Sequence, residues 1–133
     1  MQLFFRSKSK KEVIDITDTI DELLANKGVT DGVCVIFLKH TSAALTTADL
    51  DPGTDHDYLD AFEAIIPKLN YRHPHDPTHV GDHINSAMIG TSLSIPIKDG
   101  SLDLGVWQRV ILIELNGPKE RELSITLLPV SKE

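Results

Sequence analysis

Ser92-Leu93-Ser94-Ile95-Pro96-Ile97-Lys98-Asp99-Gly100-Ser101-Leu102-Asp103-Leu104 is the stretch that decides the fold class. Leu93, Ile95 and Ile97 fall on every second residue, the period of a strand with one buried face. Asp99-Gly100 then supplies a tight hairpin turn. Leu102 and Leu104 resume the alternation on the way back. A hairpin of this kind makes antiparallel sheet and needs no crossover helix.

Downstream, Trp107 to Leu115 reads as a strongly apolar strand, Asn116-Gly117-Pro118 as a turn, and Leu123 to Val130 as a last strand. Upstream, Gly32 to Leu38 (Gly-Val-Cys-Val-Ile-Phe-Leu) is short, apolar and rich in β-branched residues. That predicts a strand buried on both faces, delivering His40 to its end. Thr41 to Thr47 predicts a further strand, bulged after His40. Gln2 to Ser7 reads as an edge strand and Glu12 to Ile16 as a second. Three helices complete the pattern. One is capped by Thr17 or Asp18, has Ile20, Leu23 and Leu24 on its apolar face, and stops at Gly28. Another is capped by Thr54, carries Leu59, Phe62, Ile65 and Ile66, and is closed by Pro67. The third is capped by Asp82, runs from His83 to Ile89 and stops at Gly90, which sets the amides near His83 at a helix N-terminus, a natural place for an anion. The expectation is an α+β fold: a mainly antiparallel β-sandwich or half-barrel with about three helices packed on it, as one domain over residues 1–133.

The formal net charge of -7 argues against nonspecific nucleic-acid binding, which draws on a basic surface. No apolar run approaches the roughly 20 residues that cross a bilayer, and the first residues lack a signal-peptide layout. No membrane association and a cytoplasmic location are the expectations. Cys34, the only cysteine, excludes an intrachain disulfide and reads as a buried, inert thiol.

Polar chemistry is concentrated in one window. All six histidines (His40, His56, His73, His75, His79, His83) lie between residues 40 and 83, together with seven aspartates. Imidazole and carboxylate bind divalent metals and move protons near neutral pH. His40 and His83 are the leading metal-ligand or acid–base candidates, and His73 is the third ligand; the bland alternative is a set of hydrogen-bonded structural histidines. His79 stands four residues before His83, while His75 shares its loop and is as readily solvated. Asp82 either caps a helix or orients an imidazole through its second nitrogen. Asp49 is a candidate general base, with a solvated loop acid as the plain alternative. His56 reads as surface. Trp107 either fills the core or stacks on a planar heterocycle beside Gln108. Arg72 and Arg109 are the cations on offer for a phosphate, against the commoner fate of surface ion pairs.

Several pieces carry a family likeness: His40-Thr-Ser-Ala-Ala-Leu-Thr-Thr47, Tyr71-Arg72-His73, His83-Ile84-Asn85-Ser86-Ala87, Gly90-Thr91-Ser92-Leu93, Gly100-Ser101-Leu102-Asp103-Leu104-Gly105, Trp107-Gln108 and Gly117-Pro118. In order and spacing the chain resembles the YjbQ-like family, also called the secondary thiamine-phosphate synthase family. The resemblance implies an α+β subunit assembling as a homotrimer, with a histidine-containing pocket that often holds a metal. It implies pocket residues at His40, Ser42, Thr46, His73, His83, Trp107 and Gln108, and a divalent cofactor, zinc, or magnesium for a pyrophosphate leaving group. The linked activity is a transferase reaction joining a phosphorylated thiazole to an activated pyrimidine. The chain departs from the family pattern at Ala48-Asp49, at Val106 and at Lys119-Glu120-Arg121, the last weakening a phosphate clamp. Two other functions are open to the same window: metal-dependent hydrolysis of a small phosphorylated or acyl compound, and a non-catalytic trimeric binding module for a small anionic metabolite.

Overall fold

The computed structural model describes residues 1–73 and 77–130. Eight strands and three helices follow in the order β1 (Gln2–Arg6), β2 (Glu12–Asp15), α1 (Thr17–Lys27), β3 (Gly32–Leu38), β4 (Ala43–Ala48), α2 (Thr54–Ala64), a 3-10 turn (Pro77–His79), α3 (Val80–Ile89), β5 (Ser92–Lys98), β6 (Ser101–Leu102), β7 (Arg109–Glu114) and β8 (Glu120–Pro129). Five strands form one sheet in the order β1-β8-β3-β5-β6, and three form a second in the order β2-β7-β4. Every pairing is antiparallel. The molecule is the α+β half-barrel of two sheets that the alternation and the Asp99-Gly100 hairpin call for. At that turn Asp99 has φ 52° and Gly100 φ 86°, the positive angles a two-residue hairpin uses.

The sheets face each other over one core, in which Cys34, Ile36, Leu38 and Ile95 of the larger sheet meet Ala43, Leu45, Val110 and Leu112 of the smaller. Ile20 and Leu24 of α1 enter the same core. Burial pushes the Cys34 thiol up to about 11, aided by the charge of Asp21, so it stays protonated and unreactive. A second cluster lies on the far side of the small sheet, where Ala44, Ile111, Ile113 and Leu115 pack against Tyr58, Leu59 and Phe62 of α2 and Ile89 of α3.

This layering corrects one expectation. The strand with both faces covered is β7, whose residues Val110–Glu114 are all buried. In β3 only alternate residues are buried, and Phe37 is 47% exposed. A run of β-branched residues fits a covered face and an open one equally well, so composition cannot tell a central strand of the inner sheet from one of the outer sheet.

Three boundaries also move. Thr17 opens α1 but turns its hydroxyl to Asp15 Oδ1 and accepts the Val110 N–H, so it ties α1 to β7 rather than capping the helix. α2 is preceded by Gly53 in the left-handed region rather than capped by Thr54. α3 begins three residues before His83, because the 3-10 turn runs straight into it. Asp82 therefore sits inside the first turn and makes no cap. Trp107 lies in the turn before β7 and is 72% exposed, so it is neither strand nor core.

Candidate functional site

The end of β3 sets the site's position. Pairing between β3 and β8 stops at Leu38 and Leu123, and the next amide along β8, that of Glu122, would be left over. The ring of His40 takes it: the Glu122 N–H donates to His40 Nε2 at 2.8 Å. A neutral imidazole that accepts at Nε2 carries its hydrogen on Nδ1. Burial and the nearby Arg121 charge together hold His40 below the ordinary histidine range, against the opposing pull of Glu114 and Glu122. His40 is thus a fixed, neutral N–H donor.

His83 is set with equal definition. Its Nδ1 donates to the Thr41 carbonyl at 2.8 Å, and this places the lone pair on Nε2. One turn along α3, Ser86 donates to the Ala43 carbonyl at 2.7 Å, so α3 is pinned to the head of β4 at two points. His73 stacks on His83 with ring centroids 5.1 Å apart and planes inclined by 19°.

Beneath these rings lies a buried ion pair that sequence reasoning missed. Arg121 is 2% exposed and Glu114 not at all. Arg121 donates to both carboxylate oxygens of Glu114, and through its terminal nitrogen to the Ser42 carbonyl at 3.0 Å and hydroxyl at 2.9 Å. Glu114 also receives the Ser7 hydroxyl at 2.6 Å and the N–H groups of Leu115 and Asn116 at 3.0 and 3.1 Å. Burial raises the Glu114 carboxyl, but the Arg121, Ser7 and Asn116 hydrogen bonds outweigh it and leave the carboxyl below its usual value. The signal was an acid in the otherwise apolar run 110–115, because a buried carboxylate requires a partner. Nothing in that run named Arg121 as the partner.

The cleft above has two parts that share one wall. A polar part of about 490 Å³ is lined by Lys39, Lys119 and Arg121 together with Ser42, His79 and Asn116. An apolar part of about 780 Å³ is lined by Phe37, Leu38, Ser86, Ala87 and Thr91. Lys39, His40, Thr41, His73 and His83 line both. Arg121 is matched by Glu114 and Lys39 by Glu122 at 3.2 Å, so of the three cations Lys119 carries the surplus charge.

The cleft gathers His40, Ser42, His73, His79 and His83 from the sequence-based set. It does not gather the others. β4 pairs with β7 from Ala43 opposite Glu114 to Ala48 opposite Arg109, so the two ends of β4 lie about 17 Å apart at roughly 3.4 Å per residue. Asp49 and Gln108 flank the far end, with Trp107 beyond. Thr46 is half-buried in the middle of β4. Gln108 accepts the Gly105 N–H at 2.8 Å. Arg109 is held by Asp15 at 2.7 Å and Asp18 at 3.1 Å. Arg72 is exposed and lines neither part. His56 is a surface residue, its side chain 81% exposed. Asp82 lies behind α3, 3.6 Å from His79 and 3.9 Å from Lys11. With α3 starting earlier than expected, that carboxylate already occupies the helix N-terminus where an anion was foreseen. His75 lies outside the described residues.

The ring geometry does not fit the expected metal. Among the described residues no three His, Cys, Asp or Glu side chains stand close enough to hold an ion. His40 Nε2 is already an acceptor, so a metal there would have to displace the Glu122 N–H.

Comparison with known proteins fits this architecture. The model of the family described as UPF0047 protein YjbQ-like matches residues 1–130. UPF0047 protein MJ1081 of Methanocaldococcus jannaschii is 34% identical over 92% of this chain and 89% of its own length. UPF0047 protein sll1880 of Synechocystis is 34% identical over 86% and 82%. The crystal structure of hypothetical protein APE1520 from Aeropyrum pernix superposes with a TM-score of 0.89 at 27% identity, covering 98% of each chain.

Proposed function

The chain belongs to the YjbQ-like family of UPF0047 proteins, and from that premise we propose that it is a transferase of the thiamine-phosphate-synthase type, joining a phosphorylated thiazole to an activated pyrimidine in the cytoplasm. One observation carries the reading: an apolar hollow and a polar hollow meet at a wall of three histidines. A phosphorylated heterocycle has the matching two halves. Its ring rests against Phe37, Leu38 and Ala87, and its phosphate faces Lys119 and the imidazoles.

In the reaction the thiazole nitrogen attacks the exocyclic carbon of the pyrimidine. A C–N bond forms, the C–O bond to pyrophosphate breaks, and the electron pair leaves with the pyrophosphate. No proton has to move for that exchange. What the chain supplies is electrostatic: the His40 Nδ1–H donates to a departing oxygen from a ring that needs no reorganisation, and Lys119 opposes the developing charge. His83 Nε2 exchanges protons with the pyrophosphate only after the C–O bond has broken and plays no part in the exchange itself. No step is routed through zinc or magnesium, since the described donors do not converge.

The homotrimer belongs to this reading for a physical reason. Trp107 and Val106 are 72% and 89% exposed, at the end of the subunit away from the histidines. Packing of one copy against the next would cover that apolar knuckle and bring a stacking ring to a neighbour's cleft. Incubating the purified chain with the thiazole phosphate and the pyrimidine pyrophosphate tests the proposal. Thiamine phosphate accumulating over many turnovers supports it. Tight binding of either compound without product would reject it in favour of a non-catalytic trimeric binding module for a small anionic metabolite.

A further inference from the structure

Three connections lie side by side at the histidine end of the subunit. Residues 39–42 join β3 to β4, 115–119 join β7 to β8, and 7–11 join β1 to β2. β8 stands between β1 and β3, and β7 between β2 and β4, so 115–119 is the middle connection. The polar hollow opens against 39–42 and 115–119, through His40, Ser42, Asn116 and Lys119. The remaining connection, Ser7-Lys8-Ser9-Lys10-Lys11, is a basic turn on a chain of net charge -7. It is stapled to the middle one. The Ser7 N–H donates to the Lys119 carbonyl at 2.9 Å, the Lys119 N–H to the Ser7 hydroxyl at 2.8 Å, and the Gly117 N–H to the Lys10 carbonyl at 2.8 Å. Lys8 and Lys10 thus stand one strand spacing, about 5 Å, beyond the wall of the hollow.

The fold does not use their charge. Both are exposed. The lysine and arginine ion pairs among the described residues use Lys11, Lys39, Arg109 and Arg121. Glu120 faces Arg6 across β1 and β8. Glu12, the acid of the turn, takes the Lys8 and Ser9 N–H groups at 2.7 and 3.3 Å. Against that single negative charge stand Lys8, Lys10 and Lys119.

The proposed transfer brings a thiazole phosphate and a pyrimidine diphosphate together, while within the hollow Lys119 carries the surplus charge. Resting on that reading of the cleft as a phosphate site, we infer that Lys8 and Lys10 form a second anion station, which makes the cleft selective for a diphosphate group over a single phosphate. The phosphoryl group nearer the reacting carbon stays with Lys119 and the imidazoles. The terminal one reaches across the 116–119 turn to two ammonium groups on flexible four-carbon stems. Like charges gathered along one rim focus the field there, so the anion is drawn in although the chain as a whole is acidic.

Binding alone tests this, with no turnover needed. Amide correlation spectra of the intact chain follow Thr41, Asn116 and Lys119 during titration with inorganic phosphate, pyrophosphate and the pyrimidine diphosphate. The buffer is metal-free and near physiological ionic strength, where a Debye length of about 8 Å screens distant charge. Lys8→Gln with Lys10→Gln should weaken both diphosphates about tenfold, roughly threefold per lysine, and inorganic phosphate by no more than about twofold. Lys8→Arg with Lys10→Arg should restore diphosphate binding, because the charge returns. Lys27→Gln with Lys98→Gln alters the net charge equally at exposed positions near the Asp99-Gly100 turn, and should leave all three ligands unchanged. Undiminished diphosphate binding in the Lys8 and Lys10 glutamine pair, an equal loss of phosphate and diphosphates, or the same loss in the Lys27 and Lys98 pair overturns the inference. A loss confined to free pyrophosphate also overturns it, since the group recognised would not be the substrate's. A chain that binds as expected and forms no thiamine phosphate keeps the station and loses the transferase; a chain that binds none of the three ligands loses both.

Discussion

Arg121→Met removes the cation beneath the histidine cleft and leaves Glu114 as a fully buried carboxylate. Methionine keeps much of the side-chain length, so the change is chiefly electrostatic. Removing one partner of a buried ion pair costs about 3–5 kcal/mol, because the other charge stays desolvated and unmatched. Glu114 would retain the Ser7 hydroxyl and two backbone N–H groups, which places the expected loss near the lower end, about 3 kcal/mol. Against a total stability of about 5–15 kcal/mol for a domain, the melting temperature should fall by roughly 10 °C. Urea unfolding reads the change as a lower midpoint at unchanged slope. The pH dependence identifies the cause. With Arg121 present, Glu114 titrates below its unfolded value, so its stabilising share is complete above that value and is lost as pH falls through the folded one. Without Arg121, burial dominates and the carboxyl titrates higher. The variant's deficit should then shrink as the pH falls and Glu114 takes up a proton. Adding Glu114→Gln to Arg121→Met should restore part of the loss, since no charge is then stranded. A deficit below about 0.5 kcal/mol at neutral pH, or one that stays constant down to acid pH, would refute the reasoning.

Gly117→Ala should unfold the chain or lower its melting temperature more than Arg121→Met does, because the added Cβ would lie 2.5 Å from both Ser7 Oγ and the Ser9 carbonyl and 2.8 Å from Glu114 Cγ; thermal melts check this. Trp107→Ala, at a 72% exposed position, should change subunit stability by no more than about 0.5 kcal/mol while weakening self-association in sedimentation and slowing the transferase reaction. An unchanged sedimentation profile would separate Trp107 from any subunit contact. Lowering the pH toward 6 should weaken the fold by way of His40. Its folded value lies below the unfolded one, so the unfolded chain takes up the proton first. His40→Gln should flatten that part of the stability profile measured in urea.

The architecture was legible because alternation and turn chemistry are local. Gly32–Leu38 and the Asp99-Gly100 hairpin sit where the sequence places them. What failed was whatever depended on a distant partner. The hydroxyl of Thr17 looks like a cap until β7 offers the Val110 amide. Asp82 looks like a cap until the turn at 77–79 carries the helix back past it. The histidine cluster was legible as composition, and the fold does bring His40, His73 and His83 to one cleft. Which nitrogen of each ring is engaged was not legible, because that is set by Glu122 and Thr41, 82 and 42 residues away in the chain. Trp107 and Gln108 were joined to the site by the stacking an indole offers and by family likeness, and the register of β4 against β7 puts them at the opposite end of β4, outside the cleft.

The most direct test of the account is a long-range nitrogen–proton correlation spectrum of the histidine rings, taken with and without inorganic pyrophosphate. With both rings neutral, His40 and His83 should each carry their hydrogen on Nδ1, the less usual tautomer. His40 Nδ1 and His83 Nε2 should shift together, saturably, as pyrophosphate is added. Hydrogen on Nε2 in both rings, or pyrophosphate leaving both unmoved, would contradict it.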